Sequence, residues 1–246
     1  MSKANKNMQT RILTALILGP SVIFCIIHGS FAFATLLLAV FLAAVYESVN
    51  IITGMNLNKV NNHSGFRHSQ ESDIIKHSLK LVAIVAMPCI SLAYIRYSDK
   101  GPFMTIWLFV AIWTFDTFAL LAGKTLGGPK LAPITSPNKT WSGFIFGIIA
   151  SCLASFAIHA LFGFKTNIVL FLLISFCIAV LAQFGDLIES KFKRYYKVKD
   201  SGSIIPGHGG VLDRMDGFLL TAPFMATIYL ISTIISSYTH LPLIIT

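Results

Sequence analysis

Asp213 and Asp216 stand three residues apart in a run from Gly185 to Gly217, which places both carboxylates on one face if the segment is helical. Two carboxylates so close repel unless a cation lies between them. Oxygen ligands without paired Cys or His favour magnesium or a similar hard ion, and Asp186 could supply a third carboxylate. The alternative is an interfacial ion pair of Asp213 with Arg214 or a neighbouring Lys. The same run holds five of the chain's ten acidic residues and six of its nineteen Lys and Arg residues. Of these, Lys193, Arg194, Lys197 and Lys199 suit phosphate, or equally the headgroups of anionic lipid. The following Pro206-Gly207-His208-Gly209-Gly210 adds paired glycines, whose backbone N–H groups can approach an anion closely. His208 could donate to a phosphate or be a structural residue. The chemistry suggested is that of cations and phosphates.

A second polar stretch, 123–142, carries Lys124, Lys130 and Ser136-Pro137-Asn138-Lys139-Thr140. Hydroxyls, an amide and a cation within five residues could cradle a phosphate, or form a turn with ordinary capping roles. Gly123-Lys124-Thr125 matches the end of a P-loop, but Phe118 stands where that motif requires Gly, which excludes it. Two carboxylates fall within apolar segments. Asp116 lies deep in one, where a functional role is the default, and Glu47 lies near the end of another, from which it could simply reach the interface. His63, His68 and His77 have a spacing that suits no metal site, so the stretch around them reads as a solvated loop.

These residues must be held by membrane helices. Of the 246 residues 55% are apolar and 12% charged, about half the charge of a soluble domain. Apolar runs at 12–27, 31–52, 81–95, 102–122, 143–162, 167–184 and 218–236 predict an all-α integral membrane protein, a polytopic helical bundle of about seven spans. The first run follows a basic start and resembles a signal peptide, but a second follows at once, so it is read as an uncleaved span. Residues 1–246 then form a single membrane domain. With the N-terminus cytoplasmic, sixteen of the nineteen basic residues fall inside, leaving Arg96, Lys100 and Lys165 outside. That orientation also explains the net charge of +9 without nucleic acid. It puts 123–142 and 185–217 on one side as cytoplasmic catalytic loops able to build one site. Cys25, Cys89, Cys152 and Cys177 lie in apolar segments and read as packing residues.

The run Ser190-Lys191-Phe192-Lys193-Arg194, then Lys199-Asp200-Ser201-Gly202, then Ile205-Pro206-Gly207-His208-Gly209-Gly210-Val211-Leu212-Asp213-Arg214-Met215-Asp216 resembles the signature of phosphatidate cytidylyltransferases, the CDP-diacylglycerol synthases, without mismatch. Upstream, Asp116, Ala119, Gly123, Lys130-Leu131 and Ser136-Pro137-Asn138-Lys139-Thr140 resemble a second patch of that family, so the likeness covers roughly residues 110–220. Ser142 departs from the pattern, which has an acidic residue there, and the N-terminal third is shorter than the family's.

The resemblance implies an enzyme of phospholipid biosynthesis that joins CTP to phosphatidic acid, giving CDP-diacylglycerol and pyrophosphate. It implies that Asp186, Asp213 and Asp216 hold magnesium against the CTP phosphates; two cations could share such a cluster. Lys193, Arg194, Lys199, Asp200 and His208 complete the expected catalytic set. Lys124, Ser136, Asn138, Lys139, Thr140, Gly209, Gly210, Arg214 and Asp116 are expected to contact substrates. The lipid's acyl chains stay in the bilayer, and a homodimer is left open. The absence of a transit peptide and the compact length suit a bacterial inner membrane. A CDP-alcohol phosphotransferase is disfavoured, because its DG–AR–G–D–D pattern is absent. A transporter using Asp116 and Asp186 as ion sites would leave the 190–216 run unexplained.

Overall fold

A computed structural model describes residues 3–60, 67–207 and 209–239. The helices are α1 (Lys3–His28), α2 (Ser30–Val60), α3 (Arg67–Arg96), α4 (Gly101–Thr125), α5 (Trp141–Phe162), α6 (Ile168–Tyr195), α7 (Leu212–Met215) and α8 (Phe218–Thr239). Strands β1 (Lys130–Ala132) and β2 (Ser136–Thr140) pair antiparallel between α4 and α5. The expected polytopic all-α architecture is present. Six helices among the described residues are long and apolar enough to cross a membrane: Phe31–Thr53, Ser78–Arg96, Gly101–Thr125, Trp141–Phe162, Ile168–Tyr195 and Phe218–Tyr238. The apolar part of α1, Leu13–His28, is shorter. At about 1.5 Å per residue it spans less than a hydrocarbon core of about 30 Å, which is why the run expected to be the first span falls out of this set.

Three polar stretches are more regular than their composition suggests. The segment 53–80, expected as a loop, is helical to Val60 and again from Arg67; His63 lies outside the described residues. The stretch 123–142 is the end of α4 followed by a β-hairpin. Residues Gly185–Tyr195 are the last three turns of α6, so the charged run begins on a helix. Asp213 belongs to the one-turn α7 rather than to the start of the last apolar helix, with Asp216 and Gly217 in a turn before α8.

By its contacts the chain divides into two units. One contains residues 1–89 and 191–216; Ile51, Ile52 and Tyr196 are buried together there, flanked by Leu81, Phe192 and Val198. The end of α6 is fixed in this unit by Lys197, whose φ of 57° is left-handed. Val198 N–H reaches Lys193 O at 3.0 Å and Lys197 N–H reaches Arg194 O at 3.0 Å. This is a Schellman closure with lysine where glycine is usual.

The other unit contains residues 90–190 and 217–246. Its α4–α5 pair shows how helices pack when lipid replaces water. Gly143, Gly147, Ser151 and Ser155 recur every fourth residue on α5 and face α4. A Cβ on Gly143 would lie 2.5 Å from Ala119 O, and one on Gly147 would lie 2.8 Å from the Phe115 ring. Ser151 Oγ donates to Ala111 O at 2.9 Å, and Trp107 Nε1 donates to Ser155 Oγ at 3.0 Å. Ile145, Ile149, Leu153 and Phe156 are exposed on the same helix. Small and hydroxyl side chains inside with large apolar ones outside is the arrangement a bilayer favours, because close backbone approach replaces the hydrophobic drive. This crossing fixes where β2 emerges.

Candidate active site

The second unit carries the first group of polar residues. Thr140 ends β2 in extended conformation and caps α5, its hydroxyl accepting from Gly143 N–H at 3.1 Å. Ser142 Oγ lies 3.0 Å from Thr140 Oγ1 and donates to Gly127 O, while Trp141 N–H reaches Pro129 O at 3.1 Å. Where a carboxylate was expected, Ser142 therefore ties the Gly127 turn to the start of α5. With its root fixed, β2 presents Lys139, whose ammonium forms an ion pair with Asp186 of α6. Ser190 Oγ donates to Asp186 Oδ1 at 3.3 Å from the next turn of the helix. Lys139 and Asp186 are 20% and 26% exposed, open enough to exchange partners.

Glu189, three residues after Asp186, is buried and offers a carboxylate oxygen within 4.8 Å of one on Asp186. Its signal in the sequence was the helical i, i+3 spacing, visible once Gly185–Ser190 is read as helix instead of loop. Gln183, a turn earlier, is buried, and its amide nitrogen has no hydrogen-bond partner among the described residues. Asp116 is exposed on α4. A Cβ on Gly217 would lie 2.8 Å from Ile112 and 4.0 Å from the Asp116 carboxylate, so the glycine lets the start of α8 come close to that point.

The first unit carries the second group. Lys193 Nζ donates to Asp213 Oδ1 at 2.7 Å, with the two side chains 12% and 9% exposed. Asp213 also accepts from Ser201 N–H at 3.1 Å and Gly210 N–H at 2.9 Å. One carboxylate thus joins the end of α6 to both ends of the loop between α6 and α7. Within that loop Ile205 N–H reaches Gly209 O at 3.0 Å, and Gly207 and Gly209 have left-handed φ of 76° and 83°, which glycine adopts without strain. Thr14 of α1 donates to Pro206 O at 3.0 Å.

Glu47 of α2, which sequence reasoning left without a role, is 2% exposed and turned into this loop. It accepts from Ser201 Oγ at 3.2 Å, Val211 N–H at 3.1 Å and Leu212 N–H at 3.0 Å. Gly202 and Gly210 are small for its sake: a Cβ on either would come within 2.5 Å of its carboxylate.

The expected site residues therefore fall into two groups. Asp186, Ser136, Asn138, Lys139 and Thr140 belong to the first, with Lys124 exposed at the end of α4. Lys193, Asp200, Gly209, Gly210 and Asp213 belong to the second, where Gly210 N–H is already given to Asp213. Lys199, Asp200 and Arg214 are exposed, and Arg194 donates to Val198 O at 3.0 Å. Asp216 is half-buried. His208 lies outside the described residues.

Residues 53–232 match the cytidylyltransferase family. The chain belongs to that family. Among curated cytidylyltransferases, the phosphatidate cytidylyltransferase of Rickettsia bellii is 36% identical over 230 residues, covering 91% of each chain. That of Rickettsia felis is 33% identical, covering 92% of this chain and 93% of its own. The phosphatidate cytidylyltransferase of Staphylococcus haemolyticus is 43% identical over 132 residues, 54% of this chain and 50% of its own. Both polar groups lie within the family match, whereas Glu47 lies just before it. For a cytidylyltransferase the donor chemistry is apt: carboxylates and hydroxyls for a hard divalent cation, lysines for phosphate.

Proposed function

We propose that this protein is a membrane-bound phosphatidate cytidylyltransferase, forming CDP-diacylglycerol and pyrophosphate from CTP and phosphatidic acid in phospholipid biosynthesis. The observation that carries the reading is the 190–216 run, which lies within the family match and holds the Lys193–Asp213 pair. An oxygen of the lipid phosphate attacks the α-phosphorus of CTP. A new P–O bond forms, the bond from that phosphorus to the α,β-bridging oxygen breaks, and pyrophosphate leaves with the electron pair. The nucleophile is ionised near neutral pH, since the second pKa of a phosphomonoester is about 6, so no strong base is required. The barrier is the meeting of two polyanions, and the remedy is neutralisation and alignment.

Lys139 and Lys193 are suited to that task. Each already holds a carboxylate's charge, and an arriving phosphate offers each a second anionic partner. Lys199, Arg194 and the hydroxyl of Ser136 would add further contacts. Asp186, Asp213 and Asp216, with Glu189 beside Asp186, would hold magnesium. When bound, the cation neutralises phosphate charge and stabilises the leaving pyrophosphate. The positive-inside bias supports a cytoplasmic N-terminus and an active site facing the cytoplasm at a bacterial inner membrane.

The test is pyrophosphate release by purified, detergent-solubilised protein given CTP, phosphatidic acid and magnesium, each omitted in turn. Release that requires all three is expected. Release without lipid, or none from folded protein, would overturn the reading.

A further inference from the structure

Glu47 lies on α2, apart from the elements that carry the carboxylates proposed to hold a cation. Both its oxygens are taken up by three donors, Ser201 and Val211 of the loop between α6 and α7 and Leu212 at the start of α7, and Gly202 and Gly210 close against it. The donors come from two separate stretches, Ser201 within the loop and Val211 with Leu212 where α7 begins. Ser201 is held twice, by its hydroxyl on Glu47 and by its N–H on Asp213, and Asp213 in turn holds Lys193. A continuous chain of hydrogen bonds thus runs from a buried carboxylate on α2, through Ser201 and Asp213, to the ammonium of Lys193. We infer that Glu47 is a positioning residue of the reaction, setting through Ser201 the place of Asp213 and Lys193.

A satisfied buried network of this kind has one arrangement, which is what alignment of reacting groups requires. Glu47→Gln preserves size but turns an acceptor into a donor, and whichever way the amide sits it faces an N–H of Val211 or Leu212. Glu47→Asp keeps the charge and shortens the reach by one methylene. The kinetic consequences rest on the cytidylyltransferase reading; the loop's dependence on Glu47 does not.

The experiment therefore has two readouts on the full-length protein in detergent. In Glu47→Gln, kcat/KM for CTP should fall about 100-fold, the loss that a misplacement of about 1 Å produces. Glu47→Asp should fall less. Ser201→Ala should lose part of the activity and should add nothing in the Glu47→Gln background, since both act through one bond. Ser48→Ala, on the same helix with its hydroxyl bonded to Ala44 O at 2.7 Å, should match wild type. Independently of activity, hydrogen exchange in Glu47→Gln should accelerate at 201–212 and stay unchanged in α4 and α5. Wild-type kinetics in both Glu47→Gln and Ser201→Ala would overturn the inference. So would faster exchange throughout the chain in proportion to lost activity, which marks a residue that only stabilises the fold. If wild type releases no pyrophosphate, the enzymatic reading fails, while the exchange result still decides the anchor.

Discussion

Gly143→Ala is the sharpest perturbation the α4–α5 crossing offers. The added methyl would sit 2.5 Å from Ala119 O and 3.2 Å from Thr140 Oγ1. Ordinary contact begins at 3.4 Å, so relieving the carbonyl clash needs a shift of about 0.9 Å. The obstacle is backbone, so no side chain can turn aside; the start of α5 must move away from α4. Overpacking of this kind costs about 1–3 kcal/mol. The same shift loosens the Thr140 cap, worth about 1 kcal/mol, and carries Lys139, one residue before it, away from Asp186. A displacement near 1 Å at a reacting group costs about 100-fold in rate. Gly143→Ala should therefore remain folded in detergent with a lowered Tm, and its kcat/KM for CTP should fall by about two orders of magnitude. Pyrophosphate release and a thermal-shift assay measure both. Gly19→Ala provides the control, because nothing lies within 4 Å of the added methyl in that helix. Wild-type activity and Tm in Gly143→Ala would refute both the close crossing and its link to Lys139.

Further expectations follow from the site. Asp213→Asn removes the charge that holds Lys193 and weakens the bonds to Ser201 and Gly210; turnover should be abolished in a protein that still elutes as a folded species, and retained turnover would remove Asp213 from the metal role. Lys139→Met should raise KM for CTP at least tenfold with a smaller change in KM for phosphatidic acid, measured by varying each substrate alone. Chelation of divalent cations should stop pyrophosphate release and added magnesium should restore it, whereas unchanged release would exclude the proposed cation. Lys197→Gly relieves a left-handed residue and should raise stability by about 1 kcal/mol, seen as a higher Tm with unchanged kcat.

The sequence made some of this legible and hid the rest for definable reasons. Apolar runs of about 20 residues marked the spanning helices because a bilayer imposes that length. They did not reveal that α6 continues to Tyr195 or that α2 reaches Val60, since a helix leaving the membrane changes composition without changing backbone. Asp186, Lys139, Lys193 and Asp213 stood out as charges amid apolar sequence. Their partners did not, because the Lys139–Asp186 pairing joins residues 47 positions apart through the hairpin and the α4–α5 crossing. Glu47 was the least readable: its donors lie 154 to 165 residues away, and two are backbone N–H groups that carry no signature. Gly210 was visible but suggested an anion's approach, whereas a Cβ there would meet Ser201 Oγ and the Glu47 carboxylate of the chain itself.

At the centre of the proposed reaction, the lipid phosphate attacks the α-phosphorus of CTP. Phosphatidic acid labelled with oxygen-18 in its phosphate, given with CTP and magnesium to the purified protein, tests it by mass spectrometry of both products. Labelled CDP-diacylglycerol and unlabelled pyrophosphate are expected. Label in pyrophosphate, or no CDP-diacylglycerol from folded protein, would contradict it.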